Sequence, residues 1–322
     1  RAFGCKRLAR ADVRAACWAN ADLSNAVLSF ACLDGIDLEG ADLHGAVCIA
    51  ARVRNAQLRG VDLRGAHCSH TTFRESDLTN ACFEASTLVN VDLSRSVCDR
   101  ASFVRASLID ADLRSSSFAG ANFEGAKLDR ADIRGASFRG CSFFRASLAE
   151  LDLCLADFAD SKFFRANLTR CVMDGMEFHA PDFTGTTLAE ASLVGTRMPK
   201  AMFLFANLAG AGLANVDWEG ANLRFATLRG ASFQTGSSRC GRLSSDTASE
   251  GTRTGFYTDE FDERSFRAPE EIRKANLRGA DLRGADIWLT DFYLVDLRDA
   301  IYTDVQRLHF ERTKAILSPR RA

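Results

Sequence analysis

Nowhere in this 322-residue chain does an uninterrupted apolar run reach the roughly 18 residues a membrane-spanning helix needs, so no such span is expected. No GxGxxG, Walker A, GxSxG or HExxH segment occurs either, which removes the usual signatures of dinucleotide, phosphate, acyl-transfer and zinc-protease chemistry. Charge of one sign is missing as well: 41 Lys and Arg stand against 42 Asp and Glu. A protein that imitates or grips nucleic acid needs a wall of one sign. Eleven cysteines include no C-x-x-C pair, and His and Pro number only five and four. No secretory signal pattern opens the chain. It starts on Arg1, which points to a removed targeting peptide or a trimmed end. Together with the many cysteines this favours an organellar origin, chloroplast or thylakoid, over a bacterial cytoplasm.

What the chain has is a period of five. Residues 21 to 45 read ADLSN AVLSF ACLDG IDLEG ADLHG, and positions 3, 8, 13 and onward to 233 form 47 consecutive apolar sites: 23 Leu, 14 Phe and ten others. On a helix, positions five apart point about 140° from each other and make no stripe. On a long strand an odd period sends successive residues to opposite faces. A unit that turns a tight corner every five residues satisfies both constraints. With the Leu or Phe site as the centre, the site two before it points the same way, and 28 of the 45 such sites from 11 to 231 are Ala. One large and one small inward side chain per unit fill a narrow interior. The exceptions at the small site are Ile36, Leu151, Met176 and Pro181.

A period of 20 lies over the five. Centres 88, 108, 128, 148, 168, 188, 208 and 228 are all Leu; 83, 103, 123, 143, 163, 183 and 203 are all Phe; so are 118, 138, 158 and 178. Four units per coil stack each set as a vertical ladder at about one strand spacing, 4.8 Å. Residues 1 to 233 then make about twelve coils, on the order of 55 Å of stacked strand.

The A-(D/N)-L-x-x unit, as in Ala21-Asp22-Leu23, Ala41-Asp42-Leu43, Ala121-Asn122-Phe123 and Ala280-Asp281-Leu282, resembles the pentapeptide repeat family. The resemblance implies an all-β fold, a right-handed quadrilateral parallel β-helix (a solenoid) with four pentapeptides per coil. The expected organisation is a repeat block over 1–234, an insertion over 235–274, resumed repeats over 275–304 and a terminal cap or tail over 305–322. The insertion opens with the Ser/Thr/Gly-rich residues 235 to 255, read as a flexible loop, and Ala268-Pro269-Glu270-Glu271 reads as a helix start. Resumed centres are Leu277, Leu282, Ile287, Phe292, Leu297 and Tyr302, out of phase with Phe233 by 44 residues. The repeated triplets Tyr257-Thr258-Asp259 and Tyr302-Thr303-Asp304 read as exits from a coil. Pro181 and Pro199 mark altered corners.

Chemistry-bearing clusters are few. His67-Cys68-Ser69-His70 looks like a metal pair, yet the frame turns Cys68 inward and both His outward. Cys48 and Cys68, adjacent rungs of one ladder, come within disulfide reach, while the cysteines as a set read as small apolar residues. Asp columns at 22, 42, 62 and at 92, 112, 132, 152 follow from Asp being the second residue of the unit. No catalytic residues, cofactor or metal are expected. The informative departure is on the side whose centres are 3, 23 and 43. There the residue after the centre is Val104, Phe144, Phe164 or Leu204, followed one further on by Arg105, Arg145, Arg165, Phe205 and Phe225. Aligned aromatics flanked by Arg have the composition of a docking surface. The expected function is therefore a non-catalytic scaffold or assembly subunit that binds a protein partner, or a larger, possibly membrane-associated assembly, with no nucleic acid. The alternative comes from the resemblance: a DNA mimic that binds a type II topoisomerase, gyrase. Residues 1 to 233 hold 27 acidic and 26 basic side chains, a poor match to that mimicry.

Overall fold

Each regular five-residue unit places all but one of its backbone N–H groups in a backbone hydrogen bond, and that accounting is the fold. In the computed structural model, residues 7 to 214, 216 to 233, 254 to 255, 275 to 287, 290 to 292 and 294 to 318 are described. The unit 121 to 125 serves as an example. Asn122 N donates to Ala101 O of the coil before (3.0 Å), whereas Phe123 N and Gly125 N donate to Ser142 O and Phe144 O of the coil after (both 2.8 Å). Ala126 N closes the corner onto Phe123 O at 2.9 Å. That leaves Glu124 N, which the Asn122 side-chain oxygen accepts at 3.0 Å. Unpaired amides are costly once shielded from water, so the second position selects Asp or Asn. The same bond recurs at Asp22, Asp42, Asp62 and Asp281. The fifth residue of the unit has positive φ and the fourth does not, which defines a type II turn.

Bridges join each second residue in parallel to the one 20 positions on, as in Asp22↔Asp42↔Asp62 and Thr87↔Ser107↔Lys127. Four pentapeptides therefore make one coil, with four sides: side one has centres 23 and 43, side two 28 and 48, side three 33 and 53, side four 38 and 58. The backbone divides into two compact units, Arg1–Lys162 and Phe163–Ala322.

In the first unit the centres are buried from Leu23 onward, with the small Ala sites packed beside them. Phe83, Phe103, Phe123 and Phe143 stack face to face at 5.0, 4.9 and 5.2 Å. Phe118, Phe138 and Phe158 form a second stack at 5.0 and 4.9 Å. The two stacks meet edge to face, for instance Phe118 and Phe123 at 5.6 Å. Each such pair adds about 0.5–1.5 kcal/mol beyond its buried area. Where Ser or Thr replaces the small Ala, its hydroxyl donates to a centre carbonyl, either of the preceding coil, as Ser76 does to Val53 O (2.9 Å) and Ser116 to Leu93 O (2.6 Å), or of its own coil, as Ser86 does to Phe83 O (2.7 Å). Leu151, a large residue at the small site, precedes a corner that becomes a 3-10 turn, Leu153–Leu155, capped by Asp152.

In the second unit Phe163, Phe183 and Phe203 form a stack of the same kind at 5.4 and 5.3 Å. The two prolines behave oppositely. Pro199 occupies the first inner position of a type II turn, whose closing bond Ala201 N to Met198 O is kept at 3.2 Å. Pro181 has no N–H to close onto Phe178 O, and the preceding corner, His179 and Ala180, is a bend instead.

The resumed repeats bridge directly onto the coil below: Asn222↔Asn276, Thr227↔Asp281 and Ser232↔Asp286. Their offset of 54 is 20 plus 34, so 34 more residues than a regular coil separate the bridged positions. The loop and helix start expected between 235 and 274, with the triplet at 257, lie outside the described residues. Only Thr254–Gly255 (β1) is seen there, paired in parallel with Thr290–Asp291 (β2).

The chain end is more than the cap or tail expected for 305–322. Tyr302-Thr303-Asp304 is a helix entry: Thr303 caps α1, Asp304–Arg312, in a capping box with Gln306. Gln306 Nε2 then donates to Leu282 O (2.7 Å) and Ala285 O (3.1 Å), while Phe310 packs on Phe292 and Tyr302 with ring centroids 4.8 and 5.3 Å apart. After the helix the ladder resumes at Asp296↔Ile316, again 20 apart.

Candidate interaction surface

The outward wall of side one is built from the fourth and fifth positions of its units. Fifth-position residues take left-handed φ: Arg105 56°, Arg145 55°, Arg165 56°, Phe205 57° and Phe225 59°. An L-residue gives up about 1 kcal/mol there relative to Gly. Its side chain leans along the ladder onto the next corner. A Cβ placed on Gly125 would meet Arg105 Cγ at 3.5 Å, and one on Gly279 would meet the Phe225 ring at 2.7 Å, so Gly279 is the floor on which that ring lies.

In the first unit Val104 and Phe144 are half-buried, and Arg105 and Arg145 are exposed. The Arg145 guanidinium stands 4.9 Å above the Phe144 ring. Glu124 occupies the place between Val104 and Phe144 in the column, so the apolar positions are not continuous there. In the second unit Phe164 and Leu204 are half-buried, with Thr184 between them, and Arg165 lies 5.3 Å over Phe164. Sequence reasoning put Phe144 and Phe164 on the surface as open aromatics. Instead each carries its own arginine lid, a cation–π contact that spends part of the ring face on the protein itself.

Phe205 and Phe225 differ. Their rings stack at 5.2 Å and 12°, and they remain 61% and 46% exposed. Arg224 approaches the Phe225 ring at 5.3 Å, and Met202 beside them is also exposed. Arg224 and Met202 were missed because the unit's second and fourth positions carry little signal of their own.

The charged columns are internally matched. Asp62 pairs with Arg64 (2.5 Å), Asp112 with Arg114 (2.6 Å) and Asp281 with Arg283 (2.8 Å). Hydrogen bonding to those arginines holds the three carboxyls below the usual range. Among the described residues no group of three or more His, Cys, Asp or Glu could hold a metal ion; His67 and His70 point outward on either side of buried Cys68. Cys48 and Cys68 are free thiols, not a disulfide. The Cys48 hydrogen bond and burial push the Cys68 thiol upward, and burial takes Cys141 up to about 12. No helix among the described residues is long and apolar enough to cross a membrane.

Parallel bridging at a constant 20 residues, type II corners and stacked apolar centres define a β-solenoid of pentapeptides. The profile for pentapeptide repeats matches in eight copies, over residues 7–45, 51–89, 86–117, 106–143, 136–175, 206–234 and 272–300. The chain belongs to the pentapeptide repeat family. Among solved structures it is similar to HetL, a pentapeptide repeat protein involved in heterocyst differentiation regulation from the cyanobacterium Nostoc sp. strain PCC 7120. That match has 23% identity over 94% of this chain and 93% of that one, at a TM-score of 0.23. QnrB1, a plasmid-mediated fluoroquinolone resistance protein, matches at 16% identity over 87% and 98%, with a TM-score of 0.28. A pentapeptide repeat protein of the Arabidopsis thaliana thylakoid lumen matches at 21% over 41% and 68%, with a TM-score of 0.19. At such scores the superpositions add nothing to the family assignment. No curated protein sequence matches as a relative.

Proposed function

We propose that this chain is a non-catalytic scaffold or assembly subunit, wound in the right-handed sense the family implies, that binds a protein partner through the Phe/Arg wall of side one. The residues concerned are Val104, Arg105, Phe144 and Arg145 in the first unit and, taken separately, Phe164, Arg165, Leu204, Phe205 and Phe225 in the second. The observation that carries the reading is the Phe205–Phe225 stack. Both rings sit at left-handed corners where Gly would be unstrained, and both face water. A feature that costs stability twice is a reasonable sign of a contact made elsewhere. The test is gentle isolation of the protein with its partner, followed by Phe205→Glu with Phe225→Glu and, separately, Phe144→Glu with Phe164→Glu. Loss of association with an unchanged melting profile supports the wall; association that survives both pairs removes it.

The DNA-mimic alternative rests on the bridged column Asp22, Asp42, Asp62. Arg64 weakens it by neutralising Asp62 within that column. Competition between this protein and DNA for a type II topoisomerase would favour the mimic over the scaffold. The thylakoid relative keeps a chloroplast setting among the proposals, and immunolocalisation tests it.

A further inference from the structure

Side two of the first unit is unlike the other three. Its first coils read Ala26-Val27-Leu28-Ser29-Phe30, Ala46-Val47-Cys48-Ile49-Ala50, Ala66-His67-Cys68-Ser69-His70 and Ser86-Thr87-Leu88-Val89-Asn90. From Arg7 to Ile109 this side carries no Asp or Glu; the first is Asp110. Over the same coils side one presents Asp22, Asp42, Asp62 and Glu84, side three Asp12, Asp34, Glu75 and Asp92, and side four Asp37, Glu39, Asp77 and Asp99. Bridges align Arg7, Val27, Val47, His67 and Thr87 in one row, so the outward residues share a flat face. Phe30 stands at its corner with φ 62°, 60% exposed, and Ile49 is 38% exposed; Val27 and Val47 are half-buried between them. Ala50, next in the Phe30 column, is too short to cover the ring. Arg10 places its guanidinium 5.9 Å from the Phe30 centroid, and exposed Arg7, His67 and His70 complete a rim without a carboxylate. Around the corner Asp12 and Asp34 are occupied by Arg14 and by Arg52 and Arg54.

We propose that this face, built around Phe30, Val47 and Ile49 and rimmed by Arg7, Arg10, His67 and His70, docks a protein segment that carries apolar side chains interleaved with carboxylates. The argument is charge complementarity. An apolar strip rimmed only by potential cations accepts an acidic segment and repels a basic one, whereas the other three sides meet any charged segment with both signs. The face is independent of the Phe205–Phe225 surface, being in the other unit.

The test uses two fluorescein-labelled peptides, one alternating Leu with Glu and one alternating Leu with Lys, titrated into the full chain with anisotropy as readout. The Leu/Glu peptide is expected to bind saturably and the Leu/Lys peptide at least about tenfold more weakly. Phe30→Gly, which removes the ring while easing the corner, and Ile49→Asp should each weaken Leu/Glu binding about tenfold or more. Phe205→Glu with Phe225→Glu should leave it unchanged. Equal binding of both peptides, binding that persists in both Phe30→Gly and Ile49→Asp, or binding lost only with Phe205 and Phe225 overturns the proposal. A dimer in solution that Phe30→Gly dissociates also overturns it, because the occupant is then a second copy.

Discussion

The coils through Phe103 to Leu148 and the coil that contains α1 solve the same problem with different material. In the former every side is a pentapeptide and each centre except Ile133 is Leu or Phe. In the latter, two pentapeptides' worth of chain is replaced by a nine-residue helix, Asp304–Arg312, and yet Ile316 bridges Asp296 at the same offset of 20. The invariant is thus the vertical register of the ladder, and the five-residue unit is one way to reach it. The 34-residue excursion before Ala275 makes the same point, since Asn222 meets Asn276 as if nothing intervened. A solenoid coil contacts only its neighbours, so a side can be rebuilt locally if both flanks return to register.

The comparison breaks hardest in the regular coils. Phe123→Ala removes a ring stacked on both Phe103 and Phe143 and should cost about 3–5 kcal/mol, read as a fall in the urea midpoint. Gln306→Ala in the helical coil leaves Ala285 O without its side-chain donor and Leu282 O with only the corner bond from Ala285 N. It should cost about 1–3 kcal/mol, and hydrogen exchange should show faster opening of residues 275 to 318 while residues 100 to 150 keep their protection. The prolines give the smallest and most pointed contrast. Pro199→Ala should destabilise by about 0.4–1 kcal/mol, because Pro fits its turn. Pro181→Ala should be neutral or stabilising, because it restores a donor to a corner that lacks one.

Acid should act mainly through the Asp-Arg columns. Asp62, Asp112, Asp132, Asp281 and Asp296 have carboxyls depressed in the folded state, foremost by hydrogen bonds from Arg64, Arg114, Arg134, Arg283 and Arg298. Their contribution is complete above the unfolded carboxyl value of about 4 and is lost as pH falls through the lower folded values. The melting temperature should therefore hold from neutral pH to about 5 and decline below about 4. A decline that begins near pH 6 would assign acid sensitivity to histidine instead.

Legibility varied with how often a signal repeats. Stacked centres such as Phe83, Phe103 and Phe123 were readable because an apolar choice made every five and every twenty residues cannot hide. The helix at 304 to 312 was not, since Thr303 and Gln306 form a single capping box with no repetition behind it, and its buried Phe310 stands alone. At the candidate surface the aromatic positions were visible as exceptions to a polar rule. Which rings stay open was not, because Arg145 and Arg165 cover Phe144 and Phe164 by side-chain reach that spacing does not encode. Phe30 broke the corner rule just as visibly as Phe205, but without a repeated neighbour it drew no notice.

By itself the amino-acid order determined the four-sided coil, the inward and outward positions and the place where an excursion interrupts the ladder, because each follows from backbone geometry applied at a constant interval. Tertiary structure alone decided why the second residue is Asp or Asn, which aromatics remain in water and how the final coil closes over a helix. Those depend on which amide is left over after stacking and on which side chain reaches across a coil, and neither quantity exists until the coils are in contact.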